Sequence, residues 1–286
     1  SASWLDAKSI IRTDNTYQEG IIDWNKTQEL CQTKAIGLLN QVDIAVTQGF
    51  IGHTAEGFTT TLGREGSDYT AGILAFCCNA KSVTIWKDVA GMLNADPKYF
   101  SQTQLLEAIS FKEAIELSYY GASVIHPKTV QPLQQKNIPL YVRSFLDPDA
   151  KGTIISANAD RDSQIPSYIV KYGQVLITFS PKDFSFIAEK QLSEIFAVLS
   201  GLKVTINVMQ NSALNFSILV DEKKIDLEQL KLKLENTYHL KYNKGLELVT
   251  IRHYNTAILD EMKASKTCLV EQKTRTTARI VLKNLA

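Results

Sequence analysis

Hydrophobic and polar positions change their period several times along the first half of the chain, which indicates alternating strands and helices. Short apolar runs rich in β-branched residues predict strands, and longer runs with helical spacing predict helices. Strands that alternate with helices predict a parallel sheet covered by helices, with ligands beyond the carboxyl ends of the strands. The predicted strands are Val42–Thr47, Ser82–Trp86 and Ile138–Arg143, and the predicted helices are Gln104–Ile109 and Phe111–Tyr120, with Gly121 as a C-cap.

A polar stretch with Asp, Gly and Pro between Asp147 and Pro166 is typical of a domain linker. Beyond it the pattern follows the order β-α-β-β-α-β of ferredoxin-like folds and then restarts in part. We therefore expect two related units in tandem, and a half-unit with an open sheet edge would need a partner strand. The predicted elements are strand Gln174–Phe179, helix Phe184–Leu199, strands Val204–Met209 and Phe216–Val220, helix Leu227–Leu234, strands Tyr238–Tyr242 and Leu248–His253, helix Thr256–Ala264, and strands Thr267–Glu271 and Thr277–Leu282.

Composition narrows the classes of function. The 286 residues are 44% hydrophobic and 21% charged, with a net charge of +1 at pH 7. This balance is typical of a globular protein and gives no field that would attract nucleic acid or a membrane surface. The chain has no apolar run of membrane-spanning length and no signal peptide at its start, so we expect a cytoplasmic location. The four cysteines lack Cys-x-x-Cys spacing, which predicts no metal site and makes Cys77 and Cys78 small buried hydrophobes.

Residues 58–72, F-T-T-T-L-G-R-E-G-S-D-Y-T-A-G, combine glycines with charged and hydroxyl side chains. Gly63 and Gly66 allow positive φ angles or a close approach of a ligand to the backbone. Ser67 lies where a helix N-cap would lie, so the free N–H groups of the following helix would point at an anion. Arg64 adds a planar fork suited to a carboxylate or a phosphate. The sequence therefore predicts an anion site, although a capped loop between a strand and a helix is the alternative.

Three ordered motifs resemble those of the aspartate kinases. They are T-T-L-G-R-E-G-S-D-Y-T-A, W-K-D-V-A-G-M-L-N-A-D-P-K and S-F-K-E-A-I-E-L-S-Y-Y-G-A-S-V-I-H-P, and their internal spacings agree with the family pattern. The later part of the chain resembles the paired ACT regulatory modules of the same enzymes. The fold implied is α/β: an incomplete amino-acid-kinase domain, a parallel-sheet sandwich, followed by two ferredoxin-like ACT domains. The implied divisions are residues 1–155 for the later part of the kinase domain, 156–170 for a linker, 171–243 for the first ACT domain and 244–286 for a partial or intertwined second one.

The resemblance implies phosphorylation of the side-chain carboxylate of L-aspartate by ATP with Mg²⁺, the first step toward lysine, threonine and methionine. Arg64, Gly66 and Ser67 match the family's aspartate-binding positions, and Asp68 matches a catalytic position. Because Asp68 cannot neutralise phosphate, its expected task is to orient a lysine or a magnesium-bound water. No residue of this chain is assigned as a direct metal ligand.

The nucleotide side departs from the family pattern. Lys87 replaces a usual threonine, Leu93 a frequent tyrosine and Lys98 an arginine, and Ser123 stands in place of a lysine that contacts the nucleotide. We hypothesise that Lys87 supplies part of the charge lost at Ser123. The implied ATP-binding residues are Lys87, Asp88, Leu93, Lys98, Ser123 and Val124.

Aspartate kinases also carry K-[FY]-G-G-[ST]-S, whose lysine reaches the transferred phosphoryl group, and this motif does not occur in residues 1–286. We therefore expect a fragment that does not phosphorylate aspartate by itself. A non-catalytic amino-acid-sensing subunit and another member of the amino-acid-kinase family are the alternatives. A sensing subunit would not need the absent motif, which favours that alternative. The T-T-L-G-R-x-G-S-D motif and the paired ACT modules argue against another member of the family.

ACT modules bind amino acids at a dimer interface, so the resemblance implies a homodimer and an effector, lysine or threonine. Asn207 occupies a position where lysine-sensitive relatives often have aspartate, and an amide is a weaker partner for an ammonium group. Polarity of a turn at the strand end is an equal explanation for Asn207 and Gln210. The implied allosteric residues are Ser185, Ala188, Thr205, Ile206, Asn207, Gln210 and Ser212.

Overall fold

The computed structural model describes residues 1–122 and 124–285 and divides into two compact units, residues 1–169 and 170–286. In the first unit the strands are β1 (Ala2–Trp4), β2 (Ile44–Val46), β3 (Ile51–His53), β4 (Thr59–Thr61), β5 (Val83–Lys87), β6 (Ala108–Ser110), β7 (Leu140–Ser144) and β8 (Thr153–Ser156). The helices are α1 (Trp24–Leu30), α2 (Gly37–Leu39), α3 (Gly66–Cys78), α4 (Phe111–Tyr120) and α5 (Pro127–Gln135), and a π-helical segment (Cys31–Ile36) lies between α1 and α2.

The main sheet of the first unit has the strand order β5-β7-β8-β6 and is mixed rather than parallel. Strand β7 runs parallel to β5 but antiparallel to β8, and β6 runs parallel to β8. The alternation of helices and strands is confirmed, but the predicted all-parallel pairing is wrong. Strand β8 was not predicted, because its four residues lie within the polar stretch that is typical of a linker.

Apolar residues on one face of this sheet form a core with α4 and α5. Val83, Leu140 and Ile155 contribute from the strands, and Leu117 and Leu133 contribute from the two helices. The helix predicted over Gln104–Ile109 is wrong, since its last residues form β6 instead. The helix over Phe111–Tyr120 is confirmed, with Gly121 at φ 125° as its C-cap.

Residues 156–170 do not form a free linker. Ile165 and Ile169 pack with the core of the first unit. Asp162 accepts hydrogen bonds from the backbone N–H and the hydroxyl of Ser110, the N-cap of α4, at 2.7 and 2.6 Å. The polar composition of this segment reflects its exposed side chains, which the sequence pattern could not separate from its anchored ones.

In the second unit the strands form one sheet in the order β10-β11-β9-β12-β14-β13. These strands are β9 (Ser167–Pro181), β10 (Ile206–Asn211), β11 (Phe216–Asp221), β12 (Tyr238–Arg252), β13 (Lys266–Lys273) and β14 (Thr277–Asn284). The helices are α6 (Glu189–Gly201), α7 (Leu227–Leu234) and α8 (Thr256–Lys263).

Two long strands run through the middle of this sheet. Strands β9 and β12 each run for 15 residues, and the predicted boundary between residues 243 and 244 lies inside β12. Each strand contains a glycine with positive φ near its middle, Gly173 at 63° and Gly245 at 66°. A left-handed residue in a strand marks a bend that non-glycine residues adopt at a cost.

The sheet of the second unit folds back on itself. Strands β10 and β13 stand at opposite ends of the strand order, yet the side chain of Gln272 donates a 2.6 Å hydrogen bond to the carbonyl of Met209. A core of apolar residues from both halves of the sheet accompanies this contact, including Leu176, Leu219 and Leu248. Each half therefore covers the inner face of the other.

Phe184 and Phe186 are exposed by 81% and 71%, although the apolar spacing placed Phe186 on the buried face of a helix. Helix α6 begins only at Glu189, so both side chains lie in the preceding loop. Within residues 1–122 and 124–285, no helix has the length and apolar character needed to cross a membrane.

Candidate active site and regulatory site

The glycine-containing loop follows a short hairpin and begins α3. Strands β3 and β4 pair antiparallel, with Gly52 opposite Thr60. Behind the hairpin the hydroxyls of Thr13 and Thr60 lie 2.6 Å apart in a buried position. The hairpin therefore fixes the direction from which the chain enters the loop at residues 62–65.

The backbone of the loop differs from the prediction at its helix end. Gly63 has a φ of 77°, as expected, but the second left-handed residue is Glu65, at φ 54°, rather than Gly66. Helix α3 begins at Gly66 with Glu65 as an N-cap that makes no side-chain capping bond. Ser67 is therefore not the N-cap but the second residue of the helix, which leaves its backbone N–H among the unpaired donors of the first turn.

Glycine is required at position 66 because the chain is crowded there. A Cβ atom on Gly66 would lie 2.6 Å from Cδ2 of Phe50 and 3.2 Å from Cβ of Leu62. The segment before β3 thus packs directly on the first turn of α3. The glycine therefore allows a close approach between two protein segments.

Arg64 and Ser67 are both open to solvent at the start of α3. The Arg64 side chain is 73% exposed, and its Nε lies 3.8 Å from Oε1 of Glu65. Ser67 is exposed as well. A solvent-exposed guanidinium beside the unpaired N–H groups of a helix start favours an anionic ligand through both charge and hydrogen bonding.

Asp68 and Lys87 form an ion pair that joins α3 to β5. Lys87 Nζ lies 2.8 Å from Asp68 Oδ2, and the two side chains are only 22% and 16% exposed. The contact is an ion pair without hydrogen-bond geometry, since Asp68 Oδ2 has no hydrogen-bond partner within the described residues. The sequence predicted that Asp68 would orient a lysine, and it assigned Lys87 to the nucleotide side, but it did not pair the two.

The sequence did not assign His126 to the site, yet it lies in the electrostatic reach of the loop. It is the N-cap of α5, and its Nδ1 accepts a 3.2 Å hydrogen bond from the backbone N–H of Lys128. Burial lowers the pKa of His126, while Glu65 raises it and Arg64 lowers it. The signal for this capping position is the His-Pro pair, because Pro127 is the first residue of the helix.

Of the residues predicted for the nucleotide, Lys87 ends β5, Asp88, Leu93 and Lys98 lie in the loop that follows it, and Val124 lies between α4 and α5. Asp88 and Lys98 are exposed, and Leu93 is half-buried in a bridge with Leu105. Val124 packs against the core of the first unit. Ser123 lies outside the described residues. Only Lys87, through Asp68, is tied to the loop at residues 62–65.

A cavity of about 450 Å³ lies elsewhere in the first unit and contains none of the predicted site residues. It is lined by strands β7 and β8 and their surroundings, where Arg143 stands over the ring of Tyr141 at 5.7 Å. Its lining residues are Glu107, Ala108, Tyr141, Arg143, Lys151, Gly152, Ile154 and Arg161. This cavity is therefore separate from the predicted site residues at the start of α3.

In the second unit, part of the predicted allosteric set meets where α6 begins and β10 ends. Ile187 N–H donates to the carbonyl of Ala213 at 2.8 Å, and Ser212 exchanges hydrogen bonds with Asn215. Ala188 is the N-cap of α6, and the backbone N–H of Ser185 is held by Asp183. The segment before α6, with Ser185 and Ala188, is thereby placed beside Ser212. Gln210 is exposed two residues earlier.

Asn207 belongs to a separate polar network on the sheet. Its amide nitrogen donates to Gln174 Oε1 at 2.8 Å and to Asp221 Oδ1 at 3.3 Å. Its amide oxygen accepts from Lys171 Nζ at 3.1 Å. Burial lowers the pKa of Lys171. The sequence missed Lys171, Gln174 and Asp221, because they come from strands far from Asn207 in the chain. Thr205 is exposed and lies directly before β10, and Ile206 is the first residue of β10.

Comparison with known proteins places this geometry in a family. Residues 5–144 match the model of the amino acid kinase family. The chain is 30% identical over 257 residues to lysine-sensitive aspartokinase 3 of Escherichia coli, covering 87% of this chain and 57% of that protein. It is 41% identical over 160 residues to a chloroplastic bifunctional aspartokinase/homoserine dehydrogenase 2 of Arabidopsis thaliana, covering 56% of this chain and 17% of that one.

Solved structures give the same result. The fold is similar to that of E. coli aspartokinase III in complex with aspartate and ADP, with a TM-score of 0.79 at 26% identity. That match covers 99% of this chain and 66% of the other. The complex of the same enzyme with lysine and aspartate matches with a TM-score of 0.80. The chain thus spans about 57% of the length of the first of these relatives. Residues 5–144 thus belong to the amino acid kinase family, and the chain is similar over most of its length to aspartokinases.

Proposed function

We propose that this protein takes part in the ATP-dependent phosphorylation of L-aspartate on its side-chain carboxylate, which yields 4-phospho-L-aspartate. The observation that carries the proposal is the start of α3. There an exposed Arg64 and the free N–H groups of the helix lie one turn from the Asp68–Lys87 ion pair at the carboxyl end of β5. The similarity to an aspartokinase solved with aspartate and ADP supports the same assignment.

Arg64 and Ser67 would bind the substrate aspartate. A guanidinium makes paired, charge-assisted hydrogen bonds with a carboxylate, and the exposed Ser67 hydroxyl and first-turn N–H groups can donate to the same anion. Gly66 would keep this turn in place through its contact with Phe50. These interactions position the nucleophilic carboxylate, which is the main demand of phosphoryl transfer.

Asp68 and Lys87 would act at the phosphoryl group. Transfer leaves negative charge on the phosphoryl oxygens, and a fixed ammonium group stabilises that charge. Asp68 would hold the Lys87 ammonium in position and would itself make no contact with phosphate. ATP would lie along Asp88, Leu93, Lys98, Ser123 and Val124. The described residues hold no cluster of three or more metal-binding side chains, so Mg²⁺ would be bound largely through the ATP phosphates.

Substrate binding is tested by melting the chain in the presence of L-aspartate. A ligand that binds only the folded state raises the melting temperature. We expect L-aspartate to raise it for the parent and not for Arg64→Ala. The matched control is Arg161→Ala, which removes an exposed arginine of the same unit beside Glu107. An equal shift for the parent and for Arg64→Ala would contradict the assignment of the loop.

We further propose that lysine or threonine regulates the protein through the second unit as a homodimer. The surface between Ser185, Ala188 and Ser212 combines the start of α6 with the end of β10, and the N–H groups in the first turn of α6 could bind a carboxylate. The similarity to an aspartokinase solved with lysine supports an amino-acid effector. Melting with each amino acid separately, combined with sedimentation, tests this. If neither one changes melting temperature or mass, the regulatory proposal fails.

A further inference from the structure

Three of the four cysteines meet in the first unit, although they come from two distant segments. Cys31 is the first residue of the π-helical segment, and Cys77 and Cys78 are the last residues of α3. Cys31 and Cys77 lie in the same apolar core cluster, and Cys78 packs against that cluster. All four cysteines of the chain are free.

Independent contacts hold these two segments together. Gln32 Nε2 donates a 2.6 Å hydrogen bond to the carbonyl of Cys77. On the preceding turns, the rings of Trp24 and Phe76 pack edge to face with centroids 5.1 Å apart. Cys31 and Cys77 also share the apolar core of this part of the unit. The thiol cluster is therefore fixed by packing on both sides.

The three thiols differ in their exposure to solvent and in the direction of their pKa shifts. Cys31 and Cys77 are fully buried, whereas Cys78 is half-buried and so reachable from solvent. The Lys136 ammonium donates to the Phe76 carbonyl and to Asn79 Oδ1, each at 2.6 Å, which places a cation beside the end of α3. The hydrogen bond with Cys31 lowers the pKa of both Cys77 and Cys78, and Lys136 lowers both further, whereas the pKa of Cys31 is raised. Solvent access is therefore what distinguishes Cys78 from Cys77.

We propose that hydrogen peroxide oxidises the Cys78 and Cys31 thiols to a reversible disulfide. The Cys78 thiolate attacks one oxygen of the peroxide, the O–O bond breaks, and water leaves with the thiol proton, which gives a sulfenic acid on Cys78. The sulfur of Cys31 then attacks the sulfur of Cys78, forming the S–S bond, while the S–O bond breaks and a second water leaves with the Cys31 proton. Two thiols are oxidised, one peroxide is reduced, and a thiol reductant reverses the reaction.

The bond would tie the beginning of the π-helical segment to the far end of the helix that carries Ser67 and Asp68. Accessible thiolates with a resolving cysteine nearby are the usual setting for reversible oxidation, whereas buried thiols alone are inert. This inference is independent of the proposed kinase activity, because it concerns only thiol chemistry at the opposite end of α3.

Trypsin digestion of the folded chain after peroxide treatment and alkylation tests the proposal. Cleavage isolates Cys31 in the peptide of residues 27–34 and both other thiols in the peptide of residues 65–81. We expect these two peptides to be cross-linked in the parent and in Cys77→Ser. We expect no cross-link in Cys78→Ser or Cys31→Ser, and an unchanged one in the control Cys268→Ser.

A cross-link that survives in Cys78→Ser and disappears in Cys77→Ser would overturn the choice of Cys78. Failure of the folded, reduced parent to form any cross-link would overturn the disulfide itself. Melting provides a second measurement that needs no digestion. A disulfide between distant positions restricts the unfolded chain, so oxidation should raise the melting temperature of the parent but not that of Cys31→Ser.

Discussion

At the scale of single residues, the Asn207 side chain is hydrogen-bonded to other side chains of the same chain. It donates to Gln174 and Asp221 and accepts from Lys171. Burial opposes the charged form of Asp221, but hydrogen bonds from Gln174, Lys224 and Asn207 outweigh it, so the pKa of Asp221 is lowered. An effector that used the Asn207 amide would have to replace these contacts.

We predict that Asn207→Asp destabilises the second unit by about 1–3 kcal/mol, because two hydrogen-bond donations are lost and a carboxylate faces Asp221. One carboxyl of such a pair takes up a proton more readily, so the loss should be larger at about pH 8 than at about pH 5. Urea unfolding at both pH values measures it. Gln210→Glu, on the exposed side of the same strand, is the control, and an equal loss in both variants would contradict the network.

His126 gives a pH dependence to the first unit. Its pKa in the folded protein lies below the ordinary 6.5, mainly because of burial. The unfolded chain therefore binds the proton more tightly, and stability falls as pH drops below 6.5 toward the folded pKa. Protonation of Nδ1 would also remove the acceptor that caps α5.

We predict that His126→Asn flattens this part of the pH profile, since asparagine caps a helix well but does not titrate. Urea unfolding of the parent and the variant at pH values above and below 6.5 measures the effect. His239→Asn, at an exposed site of the other unit, serves as the control. If the profiles of the parent and His126→Asn coincide, His126 does not contribute to the pH dependence.

At the scale of elements, α3 is positioned by close contact with α5. A Cβ atom on Gly72 would lie 2.9 Å from the backbone carbonyl oxygen of Thr129. Both helices begin at the candidate site, α3 with Ser67 and Asp68 and α5 with His126. The contact between the two helices therefore helps to set the distance between the side chains at their starts.

We predict that Gly72→Ala destabilises the first unit by about 1–3 kcal/mol, because the methyl group forces the two helices apart. The gain in helix propensity from glycine to alanine, about 1 kcal/mol, opposes this loss only in part. Gly37→Ala is the matched control, since nothing lies within 4 Å of its Cβ position. Urea unfolding should show stabilisation for Gly37→Ala and destabilisation for Gly72→Ala, and the reverse order would contradict the packing.

Elements with a strong period were the ones that the sequence could locate. Leu227–Leu234 is confirmed at both ends, because Asp226 caps the helix and its apolar spacing is regular. Helix α5 was missed, since Pro132 lies inside it and a proline normally argues against a helix. Strands β3 and β4 were missed as well, because three residues are too few to show a period.

At the scale of the whole molecule, activity requires more than the start of α3. Phosphoryl transfer needs positive charge at the transferred group, and residues 1–286 contain no K-[FY]-G-G-[ST]-S strand to supply its lysine. Lys87 is held by Asp68 and provides one cation only.

We predict that the polypeptide of residues 1–286 forms no aspartyl hydroxamate from aspartate, ATP and hydroxylamine. A polypeptide in which a K-[FY]-G-G-[ST]-S strand accompanies residues 1–286 should form it, and Lys87→Ala in that polypeptide should raise the KM for ATP. Hydroxamate formation by residues 1–286 alone would show that the strand is dispensable. An unchanged KM would show that Lys87 does not contact the nucleotide.

The sequence by itself indicated the resemblance to aspartate kinases and predicted the chemistry of the loop, because Arg64, Ser67 and Asp68 lie close together in one motif whose spacing can be recognised without the fold. It also indicated which segments alternate between strand and helix. Only the tertiary structure decided that Lys87 pairs with Asp68, that Lys171 faces Asn207, and that the second sheet folds back until Gln272 reaches Met209. These contacts join residues far apart in the chain, and local periodicity carries no information about which distant segments meet.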